Sequence, residues 1–143
     1  MANLDTILSD HKSREKISSY KKEENHKNSS LRPTYSKIPD IFFDEILQDF
    51  KLTRPEIMTL LFLYRQVWCR PNLYKAYGIS QIMSHTEMGK ALDLSLEEVY
   101  SALRKVEGFG FITTIRSGQY FVRRFFTKSN DLKFSQTYDD FEN

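Results

Sequence analysis

One set of side chains in this sequence has types suited to binding chemistry: Lys90, Arg104, Lys105, Arg116, Arg123 and Arg124, with Tyr100 and Ser101 among them. Ammonium and guanidinium groups donate to anionic oxygens, arginine in a planar fork, and hydroxyls donate or accept, so the set suits an extended anionic or acceptor-rich surface. The residues that catalysis or metal binding would need are placed otherwise. Cys69 is the single cysteine, which rules out an internal disulfide and zinc sites built on paired thiolates. His11, His26 and His85 lie far apart and have no ligand-like spacing to one another or to a carboxylate. No nucleophile, base and orienting group fall in a recognisable pattern, and there is no glycine-rich phosphate loop, so neither an enzyme nor a cofactor is expected.

Charge is distributed unevenly. The chain carries +2 overall, with +2 on residues 1–33, +3 on 34–128 and −3 on 129–143. The middle is only mildly basic, so any affinity for a polyanion must come from the placement of charge. No run of about 18 apolar residues is present, and Asp5 and Asp10 interrupt Leu4, Ile7 and Leu8 where a signal peptide would need basic and apolar regions. A cytoplasmic location and no membrane partner are expected.

The elements that position the basic set are legible from capping and periodicity. Ser/Thr-x-x-Glu boxes occur at Thr53 to Glu56, Ser84 to Glu87 and Ser95 to Glu98, each predicting a helix start. The first helix of the three, with Pro55 in its opening turn, runs to about Cys69 because Pro71 stops it. It is apolar nearly all round, through Ile57, Met58, Leu60, Leu61, Phe62, Leu63, Tyr64 and Trp68, which makes it the central helix of the core. Before it, the apolar spacing from Ile38 to Phe50 predicts another helix, and after Pro71 a loop leads to a short strand over Ile79 to Met83.

The Ser84 and Ser95 boxes open two short helices separated only by Asp93-Leu94, too tight a connection for antiparallel packing, so the pair crosses steeply as a helix-turn-helix. Thr113 to Arg116 and Gln119 to Phe126, rich in β-branched and aromatic residues, flank Ser117-Gly118 as a hairpin requires. Regular alternation along the second strand points Arg123 and Arg124 to opposite sides. The fold class is mainly α with a small β-hairpin: one domain over residues 34–128, a disordered arm over 1–33 and a mobile acidic tail over 129–143. The arm is polar, and Lys21 to Ser30 has no large apolar side chain to offset the entropy of folding.

Three segments, Thr86-Glu-Met-Gly-Lys-Ala-Leu-Asp-Leu-Ser95, Glu98-Val-Tyr-Ser-Ala-Leu-Arg-Lys-Val106 and Gly108-Phe-Gly-Phe-Ile112, resemble the winged helix-turn-helix families of bacterial and phage regulators. A looser likeness, through Tyr35-Ser-Lys-Ile-Pro39, the Leu60 to Trp68 helix and Ile79-Ser80, extends to the amino-terminal domain of phage replication protein O and DnaD-like initiators. The resemblance implies double-stranded DNA binding in transcription regulation or replication initiation, with the helix after Ser95 as recognition helix and the hairpin as wing.

On that helix Val99, Leu103 and Val106 face the core, leaving Glu97, Tyr100, Ser101, Arg104 and Lys105 outward. With Lys90, Arg116, Arg123 and Arg124 these are the candidate DNA-binding residues. Arg104 can pair with guanine or phosphate, and Arg116 can reach the backbone or minor groove. Glu98 is explained by capping. Glu97 has the wrong sign for phosphate and suits only an amino group such as that of cytosine. The alternative is a protein–protein interaction module without DNA binding: an aromatic content of 14% and the all-round apolar helix suit a homodimer or another protein partner, with the N-terminal arm's Leu4, Ile7 and Leu8 as a further contact face.

Overall fold

The computed structural model describes residues 31–140; most of the expected N-terminal arm, up to residue 30, and residues 141–143 of the expected tail lie outside the described residues. The chain divides into a unit Met1–Tyr35, whose described residues 31–35 carry no helix or strand, and a unit Ser36–Asn143, which holds every described element.

Helix α1 begins as a π-helical turn, Phe42–Ile46, and continues as an α-helix, Leu47–Phe50. It starts later than periodicity suggests: the carbonyls of Pro39 and Asp40 accept from the amides of Phe42 and Phe43 at 3.0 and 2.9 Å, so these two residues form the entry turn. Lys51, at φ 49°, ends it in the left-handed region. Helix α2 spans Arg54–Tyr64 and closes with a π turn, Arg65–Cys69, just before Pro71. Its interior is lined by Leu60, Leu63, Tyr64 and Val67, all buried. A 3₁₀ turn, Lys75–Tyr77, follows.

Helix α3, His85–Leu92, and helix α4, Leu96–Gly108, are the short pair joined by Asp93-Leu94. All three capping boxes start helices, but they close to different degrees. Ser95 and Glu98 form the complete reciprocal box; Ser84 accepts the Glu87 amide; Thr53 instead donates its hydroxyl to the Glu56 carboxylate. Asp93 turns the chain at φ 54°, and the Leu94 amide reaches back to the Gly89 carbonyl at 2.9 Å. Gly89 is what permits this approach, because a Cβ there would stand 2.8 Å from the Leu94 carbonyl oxygen.

Strands β1, Ile112–Arg116, and β2, Gln119–Val122, form an antiparallel hairpin in which Ile112 pairs with Val122 and Arg116 with Gln119. Gly118 sits at φ 82° against the Met83 carbonyl, where no side chain fits. The expected strand over Ile79 to Met83 lies along β2 but forms a single bridge, Ile79 to Phe121. Side chains replace part of its ladder: Ser80 Oγ accepts the Tyr120 amide at 3.0 Å, and Gln119 Nε2 donates to the Ser80 carbonyl at 3.0 Å. β2 ends four residues before the expected Phe126. Phe126 turns at φ 74° and is fully buried, stacked on Tyr64 at 5.0 Å and tilted against Phe42 at 5.3 Å.

Helix α5, Lys128–Lys133, corrects the expectation of a mobile tail for the described residues beyond 128. Thr127 caps it by accepting the Asn130 amide, Asn130 and Asp131 are buried, and the Asp139 amide donates to the Ala76 carbonyl at 3.0 Å. The result is a mainly helical domain with a small antiparallel hairpin after the first four helices, a topology compatible with a winged helix. Among the described residues no helix is long and apolar enough to cross a membrane.

Gly89→Ala gives a prediction of reversed sign. At an unconstrained helix position the substitution stabilises by up to about 1 kcal/mol; here the added methyl meets a backbone carbonyl and should cost roughly 1–3 kcal/mol. A urea melt reads the difference, and an unchanged or raised midpoint would show that the turn is not closed on Gly89.

Candidate nucleic-acid interface

The outward side of α4 is built from two adjacent rows, each generated by the four-residue helical spacing. One row is Leu96, Tyr100 and Arg104; the next is Glu97, Ser101 and Lys105; all six are exposed. Val99, Ala102, Leu103 and Val106 on the opposite side are buried, as the expected helical phase requires.

Each row borders a cleft. Beside the first, a concavity of about 370 Å³ is lined by Leu96 and Tyr100, by Ile82 and the start of α3, and by Ser117 and Gly118 at the hairpin tip. Beside the second, one of about 390 Å³ is lined by Glu97, Glu98, Ser101 and Lys105, with Thr53, Pro55 and Glu56 from the start of α2. The second is therefore largely acidic. Glu98 is held by its cap, donation coming from the Ser95 amide at 3.1 Å, whereas among the described residues no hydrogen bond or salt bridge engages Glu97.

Tyr100 is positioned by a short relay. Its ring meets His85 edge-on at 4.5 Å, and His85 Nε2 lies 2.6 Å from the hydroxyl of Tyr120, which is buried in the hairpin. Burial raises the Tyr120 pKa above its ordinary value, keeping the phenol protonated. Arg116 is anchored as well: its Nε donates to Gln119 Oε1 at 2.9 Å, and Gln119 is itself buried. Among the described residues nothing bonds to the terminal guanidinium nitrogens of Arg116 at the end of β1. Lys90 is exposed in the last turn of α3, and Lys105 places its ammonium 5.5 Å from the centre of the Phe109 ring.

Arg123 and Arg124 are placed differently from the expected free wing cations. Because β2 stops at Val122, they do not alternate along a regular strand. Arg123 forms an ion pair with Asp131 at 3.1 Å, and the Asp131 side chain is only 4% exposed. Asp131 also accepts the Phe125 amide at 3.0 Å and the Tyr138 hydroxyl at 2.6 Å, so its charge is fully compensated. Arg124 lies over the Trp68 ring at 5.6 Å and donates to Gln136, while its backbone amide donates to the Tyr138 hydroxyl at 2.9 Å. Both arginines are held by the C-terminal segment at the base of the hairpin, and neither lines a cleft beside α4. The structure thus brings together Tyr100, Ser101, Arg104, Lys105 and Glu97 on α4, with Ser117 and Gly118 of the hairpin tip beside the first row, and leaves Arg123 and Arg124 apart.

Sequence reasoning did not single out Leu96, Ile82 or Gln119. Leu96 falls three residues before Val99 and so reads as a core position, yet it is 48% exposed because the first turn of α4 projects past the core.

Comparison of the chain with protein-family models, with curated proteins and with solved structures gives no match. The class is therefore defined by architecture alone: a helical domain closing on an antiparallel hairpin.

The C-terminal clasp has a pH signature. Tyr138 and Tyr64 are both pushed well above the ordinary phenol value of 10.0, in each case mainly by burial, with donation to Asp131 adding to the rise for Tyr138. A raised folded-state value favours the protonated form, so this stability is fully present below about pH 10 and is lost as pH rises above it. The melting temperature should fall from about pH 10 upward. Tyr138→Phe should cost about 1 kcal/mol at neutral pH and make the alkaline decline shallower. Equal alkaline slopes for the two proteins would mean that Tyr138 is not docked.

Proposed function

We propose that this chain binds double-stranded DNA, with the outward face of α4 in the major groove and the hairpin tip along the adjacent backbone. The observation that supports this most strongly is the joint placement of Leu96, Tyr100 and Arg104 as one exposed row next to the tip that follows Arg116. A helix with one side buried in a core and the other unobstructed has the shape that a major groove about 12 Å wide admits. Among the described residues no acidic partner neutralises Arg104, Lys105, Lys90 or Arg116, and Ser101 and Tyr100 supply hydroxyls. The resemblance to winged helix-turn-helix regulators and, more loosely, to phage replication initiators supports the same reading, with transcription regulation or replication initiation as the setting.

A second reading has its own observation. Glu97, Glu98 and Glu56 make the cleft beside the second row acidic, which repels phosphate and suits a basic protein partner. In the DNA complex this cleft stays outside the groove or receives an exocyclic amino group.

Fluorescence anisotropy on a duplex at two salt concentrations separates the readings. Arg116→Ala should weaken binding to all sequences and lower the salt slope by about 1. Because it also leaves the buried Gln119 carbonyl without its donor, a parallel melt is needed to show that the variant is folded. Arg104→Ala should lose about 1–3 kcal/mol at a preferred site if it meets guanine. Glu97→Gln should tighten non-specific binding. Unchanged affinity in all three folded variants would refute the DNA reading of this face.

A further inference from the structure

We infer that Leu96 and Tyr100 form an apolar reading head for thymine methyl groups, making thymine-containing steps the preferred target. The inference rests on the DNA reading above and specifies what that face recognises.

Two large apolar side chains stand in solvent on the first two turns of α4, Leu96 at 48% and Tyr100 at 51% exposure. In a helix laid in the major groove it is the N-terminal residues that meet base edges. Their separation of four residues spans about 6 Å of helix rise, close to the roughly 7 Å of two base-pair steps. The only apolar group that a base pair offers in this groove is the C5-methyl of thymine. Ile82, 59% exposed across the cleft, extends the same apolar surface to the hairpin side.

Tyr100 is also held by a contact within the fold. Its edge contact with His85, and the 2.6 Å link from His85 to the buried Tyr120, tie the ring to the core through the hairpin. A ring fixed before binding loses little entropy on contact. The neighbouring Glu97 is compatible with the choice. Its carboxylate can accept from the amino group of adenine or of cytosine, and it repels O6, which guanine presents where adenine presents that amino group. Adenine presents that amino group in the same pair in which thymine presents its methyl, so one A·T pair satisfies both rows of α4. Arg104, two turns further along, is left for phosphate or a flanking guanine.

The test compares the intact protein on two duplexes of identical sequence, one with thymine and one with deoxyuridine at every thymine position. The exchange removes only methyl groups and keeps all hydrogen-bonding groups and phosphates. Affinity for the uracil duplex should fall by about 4-fold for one contacted methyl and roughly 15-fold for two, with the salt slope unchanged. Leu96→Ala, at an exposed position, should bind the thymine duplex more weakly and show a smaller thymine-to-uracil ratio. Tyr100→Ala should do the same, and a melt separates any loss of the His85 contact from the loss of methyl recognition. Equal binding of both duplexes by the wild-type protein overturns the thymine inference and leaves DNA binding standing. No binding of either duplex at low salt overturns the DNA reading, and the inference falls with it.

Discussion

The close approach of Leu94 to Gly89 sets the geometry on which the rest of the domain depends. With Asp93 in a left-handed conformation and the Leu94 amide bonded to the Gly89 carbonyl, the chain leaves α3 and enters α4 within two residues. That fixes the angle of α4, which in turn lets Val99, Leu103 and Val106 enter the core shared with Leu60, Leu63 and Tyr64 of α2. Once one side of α4 is committed to that core, the identity of its outward rows follows from helical geometry. The hairpin is then tied to the same unit by Gly118 against Met83 and by His85 against Tyr120. Orientation of the candidate interface is thus a consequence of packing and not of charge.

Charge is partitioned by the same packing. Arg123 and Arg124 look equivalent to Arg104 and Arg116 in the sequence, but Asp131, Gln136, Tyr138 and the Trp68 ring take them up at the base of the hairpin. Asp131 is the buried partner of the pair, its side chain 4% exposed against 23% for Arg123, so the carboxylate depends on Arg123, the Phe125 amide and the Tyr138 hydroxyl for compensation, and these contacts hold the C-terminal segment docked. Of the six basic candidates, Lys90, Arg104, Lys105 and Arg116 have no acidic partner among the described residues, and Glu97 lies among them. A face so modestly basic depends on shape and specific contacts more than on bulk electrostatics.

The parts of the fold that were legible in the sequence are those written in local chemistry. Capping boxes located three helix starts, Pro71 marked the end of α2, Ser117-Gly118 located the hairpin, and the 3.6-residue period separated the buried from the outward residues of α4. What was not legible depends on residues that find one another only in the folded chain. Asp131 reads as a solvated acid in a polar tail, and nothing local announces that Arg123, the Phe125 amide and Tyr138 converge on it. The early end of β2 has the same origin, because the Phe125 amide bonds to Asp131 and Phe126 turns inward to Tyr64. Ile79 to Met83 has strand-like composition, but its backbone bonds to the hairpin only intermittently, and the Ser80 and Gln119 side chains complete the pairing. Leu96 follows the apolar period yet lies beyond the reach of the core.

The central claim is that one face, α4 with the hairpin tip, contacts DNA while the C-terminal clasp does not. Backbone amide chemical shifts of the isotopically labelled chain, recorded during titration with a short duplex, test it residue by residue. The account predicts salt-sensitive changes at Leu96, Tyr100, Ser101, Arg104 and Arg116 to Gly118, with Arg123 to Tyr138 left in place. Changes centred on Arg123, Arg124 and the C-terminal segment, or no changes at all, would contradict it.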